Sequence, residues 1–244
     1  MFIDYQYSYL VGCLLLFILW LILFIRRKDL RIEMLTMSIL ATIWLFISGI
    51  WFVNTYLETY WNPQYAGILG LGSFFKTIGL KIKGVEDTLF LFSYSGIVAV
   101  LYEEILGKKH LKKGRSKNLK FLIIFPLFVF VSLLITKSTG AINIIYGEYL
   151  AYLLASIFIW WFRRDLLMHS LVSGMLSAIF FFVSYLLLSP LSVGIIHKFW
   201  ILNKTSGVFV LGLPFEEILW AFFIGLWVGP SYEFIKDLKD STDR

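Results

Sequence analysis

Val85-Glu86-Asp87-Thr88-Leu89-Phe90 and Phe215-Glu216-Glu217-Ile218-Leu219-Trp220 share one pattern: an apolar residue, two adjacent carboxylates, then the start of a long apolar run. Tyr102-Glu103 follows sixteen residues after Glu86, and Tyr232-Glu233 follows sixteen residues after Glu216. This matched spacing marks an internal repeat. Each copy sets paired acids at the mouth of a stretch long enough to cross a bilayer, where an acid is costly unless it has a task.

The composition explains why such stretches recur. With 59% hydrophobic and 19% aromatic residues and a mean hydropathy of +0.80 over 244 residues, the chain is more apolar than a soluble domain of that size. It reads as an all-α, multi-pass membrane protein whose first partner is the lipid bilayer. At roughly 20 apolar residues per span, a bundle of seven transmembrane helices is predicted, at 5–25, 32–53, 85–106, 119–137, 142–162, 167–188 and 213–235. The first span is not read as a cleavable signal, because Asp4 precedes it and Arg26-Arg27-Lys28 follows it.

Alternating the loops across seven spans places sixteen of the 22 Lys and Arg on one side and six on the other. That asymmetry predicts an outside N-terminus and a cytoplasmic C-terminus in the cell membrane. It also accounts for the net charge of +6 without nucleic acid as a partner. The basic run in 108–120 reads as a topology anchor at an anionic lipid surface.

Aligning the two copies from their ends sets Arg26-Arg27-Lys28-Asp29 opposite Arg163-Arg164-Asp165, with one span before each and two after. The repeating unit is then three helices and the fourth span is a linker, a 3+1+3 parallel repeat. Its expected division is a first triplet at 1–109, a linker helix at 110–140 and a second triplet at 141–244. Parallel repeats pack about an axis along the membrane normal and place shared sites between the halves. The outer loops 54–84 and 189–212 are long, and such loops often cap sites.

Cys13 is the only cysteine, which excludes an intramolecular disulfide and a thiolate metal site. His110, His169 and His197 lack ligand spacing, so no metal site and no cofactor is expected. The chemistry therefore falls to the carboxylates. Acids in a first helical turn complement the helix dipole by ~0.3–1 kcal/mol, yet capping leaves the doubling and the matched Tyr-Glu unexplained. Glu86, Asp87, Glu216 and Glu217 are predicted to face one another near the outer leaflet, with Glu148 at similar depth, as an acid–base site. Glu103, Glu104 and Glu233 lie roughly 25 Å away by helix rise and are expected to pair with the basic loops.

At these residues the chain resembles the lycopene cyclase domain family of membrane-integral carotenoid cyclases. The resemblance rests on Pro214-Phe215-Glu216-Glu217 as the Pro-x-Glu-Glu/Asp signature, on Trp220-Ala221-Phe222-Phe223 and Tyr232-Glu233 after it, and on Trp61-Asn62-Pro63 with Gly67 and Ser206-Gly207. The first copy carries Gly84 where the signature has Pro. The resemblance implies non-redox cyclisation of the ψ end groups of a lycopene-type, lipophilic carotenoid substrate, with the signature acids catalytic. Such a reaction needs an acid to protonate a terminal alkene, an aromatic shelter for the cation and a base to take up a proton. Phe90, Phe92, Trp220, Phe222 and Phe223 stand within two turns of the acids and suit the shelter, since aromatic faces stabilise cations. Glu148 joins them as a substrate-contacting residue.

Two other readings stay open, a carotenoid- or isoprenoid-binding protein without catalysis and a small-solute transporter of 3+1+3 type. An opsin fits poorly because Lys236 lies beyond the end of the seventh span. Homo-oligomerisation is open as well. Cysteines introduced at Lys112 and Gln64 should label from opposite sides of the membrane; labelling from one side would overturn the seven-span topology.

Overall fold

The computed structural model describes residues 3, 5–61, 85–107, 112–113, 118–139, 143–192 and 194–239. Asn62-Pro63, Gly67 and most of the 54–84 loop lie outside the described residues, as does most of the basic run in 108–120. Among the described residues seven long helices appear in chain order: α1 (Tyr5–Arg26), α2 (Arg31–Thr59), α3 (Val85–Leu106), α4 (Phe121–Thr139), α5 (Ile145–Phe162), α6 (Leu167–Leu188) and α7 (Phe215–Lys236). Among the described residues, α1 and α3 to α7 are long and apolar enough to cross a membrane. The protein is an all-helical integral membrane protein.

Position in the bundle follows from the residues. Helices α3 and α7 are apolar on every side and rich in small residues, a pattern that suits enclosure. Their spans are 61% and 67% buried, against 17% for α1 and α6, so they form the centre. Helix α3 packs on α1 and α2, α7 packs on α5 and α6, α3 and α7 touch each other, and α4 packs chiefly on α5.

Without a hydrophobic drive between helices in lipid, close packing depends on small residues and buried hydroxyls. The α6–α7 seam shows both. A Cβ added at Gly225 would stand 2.5 Å from the Ser173 carbonyl oxygen, and one at Gly229 would stand 2.4 Å from Ser173 Cβ, so only glycine permits this approach. Pro230 lies inside α7 and has no N–H to give the carbonyl four residues earlier. That carbonyl belongs to Leu226, and Ser170 Oγ on α6 donates to it. Ser177 Oγ donates to the Ala221 carbonyl at 2.7 Å and meets Tyr94 Oη of α3 at 2.9 Å, which links three helices.

The turns at one end of the bundle carry matching clips. Arg27, between α1 and α2, binds Asp29 at 2.9 Å and Glu104 at the end of α3 at 2.6 Å. Arg163, between α5 and α6, binds Asp165 two residues on and Asp237 at the end of α7, the latter at 2.9 Å. Arg31 donates to the Phe24 and Ile25 carbonyls, which α1 leaves without helical partners. At this end the strand β1 (Lys112–Lys113) pairs antiparallel with Leu238–Lys239.

The acids at this end divide by depth. Glu104 does meet the basic turn, through Arg26 and Arg27. Glu103 and Glu233 are buried, at 0% and 1% exposure, and act electrostatically on the basic turns, Glu103 on Arg27 and Glu233 on Arg163. Because α3 and α7 occupy the centre, their inward faces are covered to the last turn. The loop 189–212 is also structured, with a short helix at Ile195–Phe199 and a hairpin of Phe209–Val210 with Leu213–Pro214. Its two-residue turn, Leu211-Gly212, has φ of 48° and 89°, the left-handed backbone that tight hairpins need.

Two substitutions test this packing. Gly225→Val should destabilise the detergent-solubilised protein by at least ~1–3 kcal/mol, the usual range for overpacking, seen as a lower Tm. Ser170→Ala should cost ~1 kcal/mol, since it strands the Leu226 carbonyl.

Candidate active site

The hairpin delivers the second acid pair. Phe215 N–H donates to the Val208 carbonyl at 2.9 Å, and Pro214, with φ of −55° and ψ of 135°, turns the chain into α7. Pro214 thus stands at the cap, one residue before the first helical turn. On the opposite side Trp200 bridges to Trp61, and Ile201 N–H donates to the Tyr60 carbonyl at 3.0 Å, which fastens the loop to the end of α2.

Beneath this loop lies a cavity of about 450 Å3, within the usual size of small-molecule pockets. Helices α1, α2, α3, α5, α6 and α7 all contribute to its wall. Asp87, Glu148 and Glu217 line it, as do Phe90 and Trp220. Glu86 and Glu216 do not, although both are buried, at 1% exposure each. Helix geometry explains the division: at 3.6 residues per turn, adjacent side chains point about 100° apart, so one acid of each pair looks into the cavity and the other into the wall.

Asp87, Glu148, Glu216 and Glu217 each have a neutral partner. Tyr9 Oη of α1 donates to Asp87 Oδ1 at 2.8 Å. Trp200 Nε1 donates to Glu217 Oε1 at 2.6 Å, and Trp220 Nε1 donates to Glu148 Oε2 at 2.8 Å. In the wall, Glu216 Oε1 accepts the Ser206 N–H and, at 3.4 Å, the Tyr146 hydroxyl, while Tyr149 Oη donates to the Glu216 carbonyl at 2.6 Å. Glu216 is therefore engaged by the loop and by α5. On the matching side Cys13 Sγ–H donates to the Glu86 carbonyl at 3.3 Å.

Aromatic rings fill the space between the two acid pairs. Phe90 stacks on Trp220 with centroids 6.0 Å apart, and Tyr94 stacks on both, at 5.5 and 5.6 Å. Phe181 closes one edge against Tyr94 and Trp220. Phe92, Phe222 and Phe223 lie elsewhere. Phe92 packs on Trp20, Phe222 lies over Gly174, and Phe223 stacks on Tyr149 at 5.2 Å, all away from the cavity wall.

A second group of buried polar residues stands at the other end of the bundle. Glu103, His169 and Glu233 present ligand atoms within 4.8 Å of one another, and Glu33 at the start of α2 lies in hydrogen-bonding reach of Glu233. These could hold a metal ion, a role the spacing of the histidines had not suggested. The signal was present four residues beyond the aligned basic turns. The shift that sets Arg27 on Arg163 and Asp29 on Asp165 also sets Glu33 on His169.

Comparison with known proteins bears on the half of the chain that carries Glu148, Trp200, Glu216, Glu217 and Trp220. Residues 143–235, from the start of α5 to the last turn of α7, match the family model described as lycopene cyclase. This segment is similar to that family. No curated protein and no solved structure matches the chain. The matched segment thus contains the Pro-Phe-Glu-Glu turn, the loop that holds it and two of the three acids on the cavity wall.

The Trp200–Glu217 contact is directly testable. Trp200→Phe keeps an aromatic ring and removes the donor, and in a double-mutant cycle with Glu217→Gln a coupling of about 1 kcal/mol is expected. Additive losses would show that the indole packs beside Glu217 without binding it.

Proposed function

We propose that the protein is a membrane-integral carotenoid cyclase that closes ψ end groups of a lycopene-type substrate by proton transfer, with no net redox change. The observation that carries this reading is a single cavity receiving one carboxylate from each doubled acid pair, Asp87 and Glu217, on either side of the Phe90–Tyr94–Trp220 stack. The lycopene cyclase match over 143–235 supports the same reaction class.

The steps balance without a cofactor. A carboxylic acid on the wall gives its proton to the terminal alkene of the end group and leaves a tertiary carbocation. The next double bond supplies its electron pair to that centre, closing the ring through one of its carbons and leaving the cation on the other. A carboxylate then takes up a ring proton, so the product is an isomer of the substrate. The stacked rings stabilise the cation through their faces, and the apolar cavity keeps out water that would trap it. Neutral donors suit this task. A Lys or Arg beside Asp87 or Glu217 would favour the charged carboxylate permanently, whereas Tyr9 and Trp200 fix its orientation without supplying countercharge.

This reading treats 1–109 and 141–244 as two copies of one three-helix unit joined by 110–140, with the cavity on the outer side and the N-terminus outside. The matching Arg27 and Arg163 clips and the central contact of α3 with α7 support that arrangement.

The test is pigment analysis in a heterologous lycopene-accumulating host. Wild type should deplete lycopene, and Glu217→Gln and Asp87→Asn should each lower conversion by at least ~100-fold, the scale of a lost acid–base group. Glu104→Gln, in the clip with Arg26 and Arg27, should convert nearly as wild type. Pigment retained by the purified wild type without conversion would favour a binding protein, and full turnover in both cavity variants would overturn the assignment.

A further inference from the structure

Glu103, Glu233, His169 and Glu33 meet at the opposite end of the bundle from the cavity, roughly 25 Å from the outer acids by the rise of α3 and α7. We propose that they form a binding site for a divalent transition-metal ion that takes nitrogen and oxygen ligands, with Zn2+ as the representative ion. The proposal does not rest on the cyclase reading.

Four observations converge on it. First, the group is enclosed: Glu103 is 0% exposed, Glu233 1%, Glu33 3% and His169 6%. Carboxylates so deeply buried together are costly, and Arg27 and Arg163, which act on Glu103 and Glu233 electrostatically, direct their hydrogen bonds to Asp29, Glu104, Asp165 and Asp237.

Second, the geometry suits a metal better than a direct contact. His169 Nε2 and Glu103 Oε1 are 3.7 Å apart, beyond a normal hydrogen bond. Two ligands on a tetrahedral ion with bonds of about 2.1 Å lie some ~3.4 Å apart, and the Glu103, His169 and Glu233 ligand atoms all fall within 4.8 Å of one another. Small side-chain shifts would close them on one ion. Third, an imidazole with carboxylates is a donor set for Zn2+ or Mn2+, whereas Mg2+ prefers oxygen alone.

Fourth, two of the four groups come from each half of the chain. Glu103 and Glu233 end the matched apolar runs, and Glu33 and His169 stand at matched positions after the Arg-Asp turns. The group therefore straddles the contact between the halves. Ser173, one turn beyond His169 on α6, adds a buried hydroxyl without a hydrogen-bond partner among the described residues, lying over Gly229 one turn before Glu233. An ion there would tie α2, α3, α6 and α7 together at the end that carries the Arg27 and Arg163 clips.

The test uses the full chain, purified in detergent with its affinity tag removed, stripped with chelator and dialysed against Zn2+. Elemental analysis should find about one Zn2+ per chain, with a rise in Tm that equimolar Mg2+ does not reproduce. Co2+ in place of Zn2+ should give a visible d–d spectrum. His169→Gln and Glu103→Gln should each weaken Zn2+ binding at least tenfold and abolish that spectrum, while Glu104→Gln should leave both intact. Fewer than 0.1 Zn2+ per wild-type chain overturns the site even where a variant fails to fold. Unchanged binding in folded His169→Gln and Glu103→Gln overturns it equally. Loss of the metal with lycopene conversion retained would leave the site standing and separate it from the cyclase reaction.

Discussion

The contact between α3 and α7 organises the rest of the molecule. Both helices begin with paired acids and end with a buried glutamate, so packing them side by side brings acids together at each end of the bundle. The middle stays apolar and aromatic. An unshared acid in such surroundings is expensive, and the surrounding helices answer that expense with hydroxyls, indoles and a backbone N–H.

The two ends answer it differently. Around the cavity, Asp87, Glu148 and Glu217 meet Tyr9, Trp220 and Trp200, all neutral donors. Outside the helices at the other end, Glu104 and Asp237 meet guanidiniums, as charges near an interface do. The hydrogen bond that Arg27 donates to Asp29 leads the causes that hold it charged, and the one that Arg163 donates to Asp165 does the same for Arg163. A salt bridge closes a turn; a neutral donor orients a carboxyl without adding countercharge.

Close approach makes the cavity possible. The Gly225 and Gly229 seam lets α6 come within backbone contact of α7, which carries Phe181 up to Trp220 and Tyr94. The loop from Ser189 to Pro214 then closes the wall with Ser192, Phe199 and Trp200. Trp200 holds Glu217 and Ser206 holds Glu216, so one loop positions both signature acids.

Much of this was legible in the residues alone. Composition and run length settle a membrane bundle, and the helices fall close to the predicted spans because apolar length and the Arg-Asp turns decide where a helix can stop. The doubled acids were legible as paired by their spacing. Which acid of each pair faces the cavity was not, because adjacent residues on a helix differ only in direction, and direction has meaning once neighbours are in place. The same holds for Phe92, Phe222 and Phe223, near the acids in sequence but turned toward α1, α6 and α5. Trp200 and Tyr9 could not be found from spacing either, since each reaches its carboxylate across a long sequence separation. Glu103, Glu233 and His169 looked like surface residues at helix ends. Only the central placement of α3 and α7 buried them together, because burial depends on what covers a residue, and that is settled between helices.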